Sequence, residues 1–224
     1  MKGTKLLWKE KNAVALSLFL TLILFLPSCS TVEQKPPSIT KCVLPPSEPS
    51  RPEYEGVPYC AVDFNFPLSA VSNPSLYVLK KDRRLLVLND GVIVRDYKIG
   101  LGPNPSGDKL FQGDGRTPEG EFFICKKNAS SKFYKSLGLN YPSPKHAWEA
   151  LNMGIISPGD YKNIVKANEN MTLPPYNTKL GGAIFIHGGG NRFDWTEGCI
   201  ALNNSSMDEL FKVIRVGTPV KVLP

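Results

Sequence analysis

Histidine is almost missing from this chain: His146 and His187 are the two among 224 residues. The five cysteines form no Cys-x-x-Cys pair. Two histidines and scattered thiols cannot fill a usual catalytic zinc set, so no metal is expected. Basic runs are missing too. The net charge is +7, but Lys2, Lys5, Lys9 and Lys11 against Glu10 hold +3 of it, leaving +4 on the rest. With no basic stripe and no interleaving of basic and aromatic residues, no nucleic-acid partner is expected. So mild a charge is compatible with a carboxylate-bearing substrate. No internal repeat is visible. The apolar run AVALSLFLTLILFL, residues 13–26, stops short of the roughly 20 residues that a membrane span needs.

That run has a basic stretch before it and Leu26-Pro27-Ser28-Cys29 after it, so residues 1–29 read as an export signal. The tetrapeptide resembles the lipobox of bacterial lipoproteins, with Pro27 in place of the usual small residue. The resemblance implies lipidation of Cys29, a membrane contact through that lipid, and a periplasmic location. Ser30 after Cys29, in place of Asp, implies sorting to the outer membrane. The twenty prolines are densest in the first third. KPPS, LPPSEPSRPEYEGVP and FNFPLSAVSNP lack helix or strand periodicity, so residues 30–74 are expected to form a semi-extended tether. In an oxidising compartment, a disulfide between Cys42 and Cys60 is the simplest pairing, with Cys125 as a rival partner.

From residue 75 the pattern changes. SLYVLKK, RLLVLN and VIVRDYKIG predict strands, the last two joined by Asn89-Asp90-Gly91, a hairpin turn signal. GEFFICKK, GGAIFIHG and PVKVLP predict three more. PKHAWEALNMGII reads as a helix. Ser157-Pro158 caps and opens a second over GDYKNIVKAN, and SSMDELFKVI, with a serine cap and acidic first turn, gives a third. GPNPSGDKLFQGDGRTPEG is a glycine- and proline-rich loop. The expected fold is mainly β, or α+β with a β core, over residues 75–224.

FIHGGGNRFDWTEGCIAL, residues 185–202, brings His187 and Cys199 within twelve residues, among glycines. A thiol attacks a carbonyl as thiolate, and free cysteine is mostly protonated at neutral pH. A nearby histidine can take that proton and return it to a leaving amine. Gly198 lets the backbone turn tightly, and Thr196 can hydrogen-bond within that turn. A buried, inert cysteine beside a structural histidine fits the same spacing. Cys125 in a strand and His146 in a helix read as structural.

Ile186-His187-Gly188 followed by Thr196-Glu197-Gly198-Cys199-Ile200 resembles the signature of YkuD-type L,D-transpeptidases. GDGRTPEGEFFI, LGLNYPSPKHA and VGTPVKV resemble other parts of that family, over about residues 75–224. The resemblance implies a β-sandwich with inserted helices, Cys199 as nucleophile and His187 as general base. Backbone N–H groups of Gly198 and Cys199 would be the oxyanion donors. Gly188, Thr196, Arg192 and Trp195 are the candidate substrate contacts, and Phe193 and Trp195 either wall the cleft or pack as loop aromatics. The implied substrate is the peptidoglycan stem peptide. Cys199 would form a thioester at the diaminopimelate carbonyl and expel D-alanine. An amine of a second stem, a lipoprotein lysine or water would accept the acyl group, and no cofactor is needed. A same-fold hydrolase and a non-catalytic wall-binding lipoprotein are the alternatives. Two positions depart from the family: Ala201, where many members have arginine or asparagine, and Glu197 beside the nucleophile. Arg192 is the candidate to bind substrate in place of the longer polar side chain that position 201 does not carry.

Overall fold

The computed structural model describes residues 54–224. Cys29, Cys42, the export signal and the first part of the expected tether lie outside the described residues. The strands are β1 (Ala61–Val62), β2 (Pro74–Leu79), β3 (Arg84–Asn89), β4 (Val92–Lys98), β5 (Gly120–Ser131), β6 (Tyr134–Leu139), β7 (Phe185–His187), β8 (Ile200–Ala201) and β9 (Pro219–Leu223). The helices are α1 (Pro144–Asn152), α2 (Pro158–Glu169) and α3 (Asn204–Val213). The sheet order is β1-β4-β3-β2-β9-β5-β6-β7-β8.

β5 belongs to both halves of this sheet. Its first residues, Gly120–Phe123, pair with β9, and the stretch from Ile124 onward pairs with β6. The register shifts between Ile124 and Lys126, which re-aims the strand where the halves divide. The halves fold onto one core. Leu76, Val78 and Val87 from one side join Leu137, Leu139, Ile186 and Ile200 from the other in one cluster, together with Met207 and Leu210 of α3. This is the expected β-sandwich with inserted helices. Burial of these side chains, at roughly 1.5–3 kcal/mol each, is the main source of its stability.

Local sequence explains the individual elements. Asp90 and Gly91 both have positive φ (48° and 82°), the two-residue turn whose twist suits a hairpin, so β3 runs directly into β4. α2 carries a complete capping box, with Ser157 and Asp160 each bonding the other's backbone N–H. At α1 the Ser143 hydroxyl bonds His146 Nδ1 at 2.7 Å and makes no cap bond.

Several expectations need correction. The tether does not run to residue 74: Tyr54, Val57, Tyr59 and Val62 pack on Leu79, Leu86, Leu88 and Ile93, and β1 pairs in parallel with β4. The outer face of the β2–β4 sheet is apolar, and this proline-rich segment covers it. The N-cap position of α3 is Asn203, ahead of the expected serine; its side chain makes no cap bond, and the first turn has no acidic residue. β7 is shorter than GGAIFIHG because Gly181 and Ala183 have positive φ (69° and 53°), which breaks the extended run. β6 was not anticipated.

Cys60 is disulfide-bonded, and its expected partner Cys42 lies outside the described residues. Cys125 and Cys199 are free thiols, which removes Cys125 as the rival partner. His146 is structural: it stacks on Phe122 with ring centroids 5.7 Å apart, and its Nε2 bonds Asp108 Oδ1 at 3.1 Å. Burial pushes the Asp108 pKa up, but bonds from His146 and the Glu119 N–H outweigh it and bring it down to about 2. Asp108 thus ties α1 to the loop before β5.

Candidate active site

β7 and β8 run parallel, with Ile186 opposite Ile200 and His187 opposite Ala201. Continuing that register by one residue puts Cys199 beside Phe185, and the Phe185 N–H does donate to Cys199 Sγ at 3.4 Å. Residues 199 and 187 are then diagonal neighbours on one face, with Cα positions roughly 8 Å apart from strand rise and spacing. Both side chains line a cleft of about 310 Å³, with Phe133, Lys126 and Lys132. Sequence spacing alone left this sharing open. Parallel pairing of the two short strands produces it.

The His187 ring is held from three directions. It is 2 % exposed. Phe133 stacks on it at 4.8 Å, and Trp195 meets it edge-on at 5.6 Å. Its Nδ1 lies 2.6 Å from the Gly188 carbonyl. A carbonyl only accepts, so Nδ1 carries the hydrogen and Nε2 keeps the lone pair. Burial lowers the pKa of His187 below its ordinary 6.5, against the opposing pull of the Gly188 carbonyl. The ring is therefore a neutral base at neutral pH.

Cys199 is half-buried. Its thiol donates weakly to the Ala183 carbonyl at 3.6 Å. Burial raises its pKa above 9.0, opposed by the Phe185 N–H and Lys109 and assisted by Glu197. Both partners rest neutral, which suits proton transfer during attack and not a preformed ion pair. Alkylation of Cys199 by iodoacetamide should therefore climb steadily from about pH 7 to pH 9, since the thiolate is the reactive form. A rate that is already flat below about pH 7 would reveal a thiolate–imidazolium pair and contradict this electrostatic picture.

The turn before Cys199 has little freedom. Gly198 has φ +121°, and a Cβ there would lie 2.5 Å from the Arg116 carbonyl oxygen. Any side chain at 198 would push the turn before Cys199 off the GDGRTPEG loop. That loop is itself pinned by Lys80, whose buried ammonium bonds Gly107 O, Thr117 O and Glu119 Oε1 at 2.6, 2.9 and 2.7 Å. Cys199 also borders a second cleft, of about 250 Å³, lined by Lys109, Gly181, Gly182 and Glu197. Ala183 and Cys199 line both clefts. No group of acidic, histidine and cysteine side chains among the described residues could hold a metal ion.

The family model for the L,D-transpeptidase catalytic domain, YkuD, matches residues 73–222. The chain belongs to the YkuD family. Similar solved structures include an L,D-transpeptidase from Xylanimonas cellulosilytica, at 16% identity over 69% of this chain and 62% of that one, with a TM-score of 0.40. The helical cell shape determining protein Pgp2 from Campylobacter jejuni is another, at 25% identity over 71% and 55% of the two chains and a TM-score of 0.42. This chain spans less than two thirds of the length of either. No curated protein matches the sequence.

Within this YkuD domain the four residues expected to contact substrate are placed as follows. The Thr196 hydroxyl donates to the Cys199 carbonyl at 2.7 Å and accepts from the Gly198 N–H at 3.3 Å. It braces the turn before Cys199, and it occupies one of the two expected oxyanion donors. Gly188 orients His187 through its carbonyl. Trp195 supports the ring and donates from Nε1 to Gly190 O at 3.0 Å. Arg192 is exposed and lines a separate pocket with Asp82, Lys98 and Phe193, apart from the clefts that Cys199 lines. The reason lies next door: Arg83 grips Asp194, Nη2 to Oδ2 at 2.7 Å, and Asp194 accepts from the Leu101 N–H at 2.8 Å, which turns residues 192 and 193 outward. Ala201 is fully buried against Gly100. Glu197 is exposed. Phe133, Lys109, Lys126 and Lys132 at the site were not anticipated, and no motif or spacing marks them.

Proposed function

We propose that this YkuD domain is a peptidoglycan L,D-transpeptidase that works through a thioester on Cys199. The observation that carries the reading is the His187 ring, fixed with Nδ1–H on Gly188 O and Nε2 unblocked, in one cleft with a half-buried thiol. In the attack, His187 Nε2 takes the thiol proton as Cys199 Sγ adds to the carbonyl on the L-centre of diaminopimelate. The Cys199 N–H holds the oxyanion, and the Gly198 N–H joins it once the Thr196 hydroxyl releases it. The imidazolium returns the proton to the amine of D-alanine, which leaves.

Two clefts meeting at Cys199 favour transfer, because a donor stem and an acceptor amine then approach the sulfur from different sides. Lys126 and Lys132 on the open cleft suit the carboxylates of a stem peptide. We place the chain outside the cytoplasm, with Cys29 lipidated and the domain facing the wall from the outer membrane. Palmitate labelling that disappears in Cys29→Ala supports the anchor, and labelling that persists removes it.

Incubating the purified chain with sacculi and reading the muropeptides by mass spectrometry tests the function. Dimers joined between two diaminopimelate residues are the expected product. Tripeptide stems without dimers would replace transfer by hydrolysis, and unchanged muropeptides would leave a wall-binding role.

A further inference from the structure

The second cleft beside the thiol holds a cation that acylation through His187 does not use. Lys109 is 4 % exposed. Its ammonium donates to Asp114 Oδ1 at 2.6 Å and to Phe111 O at 3.1 Å. An ammonium has three donors, and the third has no protein partner among the described residues. An open donor on a buried charge is costly and calls for an acceptor. Asp114 is not short of donors. It also accepts from the N–H groups of Leu110, Phe111 and Arg116 at 2.8, 3.2 and 3.0 Å. The aspartate is thus largely held by backbone, and it does not exhaust the lysine.

The surroundings leave room for a small anion. Gly113, Gly181 and Gly182 line the cleft without side chains beside Gln112 and Tyr176, and Cys199 borders it as well. The other charged group on this cleft is Glu197, exposed at residue 197 of the nucleophile turn. Its charge disfavours a second anion there. The cleft therefore suits one carboxylate, held on Lys109 and within reach of whatever is bonded at Cys199.

We propose that this cleft is an anion subsite in which Lys109 takes the free carboxylate of the residue expelled when Cys199 is acylated. The proposal rests on the acyl-transfer reading and gives it a direction: the leaving residue lies on the Lys109 side and the acylated stem lies along Lys126 and Lys132. The chemistry balances without a further reagent. The C–N bond to the leaving residue breaks as the S–C bond forms. The thiol proton passes through His187 Nε2 to the departing amine. Lys109 takes part in no bond change, and the carboxylate leaves as it came.

Two measurements on the full chain test this. In the first, D-alanine release is followed from a synthetic tetrapeptide stem and from its C-terminal amide. A charge-assisted hydrogen bond predicts a preference for the acid in kcat/KM of at least about tenfold. Lys109→Met should bring the acid-to-amide ratio close to one. Equal use of acid and amide by the wild-type chain overturns the proposal, as does a Lys109→Met ratio equal to the wild type's.

The second measurement needs no turnover and no variant. Cys199 should favour iodoacetate over iodoacetamide by about tenfold more than a free cysteine does, and most of that preference should survive 1 M salt, which screens exposed charges such as Lys126 and Lys132 far more than a buried one. A ratio like that of free cysteine overturns the anion subsite. If neither peptide is cleaved while the alkylation preference is present, the subsite stands and the transpeptidase reading fails.

Discussion

Replacing Cys199 by alanine should abolish acyl transfer, with turnover falling at least about 10⁴-fold to background. The loss should come without unfolding. The sulfur makes two weak contacts, from the Phe185 N–H at 3.4 Å and to the Ala183 carbonyl at 3.6 Å, so removing it should cost about 1 kcal/mol. Cys199→Ser keeps a donor and an acceptor in place and should fold as well, yet it should also be inactive. A serine hydroxyl ionises far less readily than a thiol, and a buried neutral imidazole is a weak base for it. Cross-linked muropeptides from either purified variant, at wild-type yield, would remove Cys199 from the chemistry.

Replacing His187 should slow acylation by about 10²- to 10⁴-fold, the usual weight of a positioned general base. Alanine is a poor choice of variant. The ring fills the space between Phe133 and Trp195, and deleting it would open a cavity at a cost of about 2–5 kcal/mol. His187→Gln keeps most of that volume and can still donate to Gly188 O, while it cannot take a proton. In that variant acylation by a stem peptide should collapse while iodoacetamide still labels Cys199 above about pH 9, where hydroxide forms the thiolate. Unimpaired acylation would mean that another group takes the thiol proton.

Much of the fold was legible because its signals are local. The alternation in SLYVLKK and RLLVLN, the Asp90-Gly91 turn and the Ser157/Asp160 capping box each act within a few residues. What was missed depends on contacts distant in sequence. YKSLGL lacks clean alternation because β6 is enclosed between β5 and β7, and Gly138 is needed where a Cβ would lie 2.9 Å from the Phe185 ring. Residues 54–73 read as tether from their prolines, but Tyr54, Val57 and Tyr59 find an apolar sheet face to cover. At the site, the Cys199 and His187 motif was visible, since the sequence from 185 to 202 carries it whole. The shell around it was not. Phe133 arrives from the β5–β6 turn, Lys109 from a loop read only as glycine- and proline-rich, and Arg192 is turned away by an ion pair to Arg83, 111 residues from Asp194. Thr196 was expected at the substrate, and its hydroxyl is taken by the backbone of the turn it sits in.

A covalent acyl-enzyme on Cys199 underlies every step of the proposed reaction, and intact-protein mass spectrometry of the full chain mixed with a tetrapeptide stem looks for it without intermediaries. An adduct equal to the stem minus D-alanine is expected, mapped to Cys199, released by hydroxylamine and absent in Cys199→Ala. Product formed with no such adduct at any time, or an identical adduct in Cys199→Ala, would rule that intermediate out.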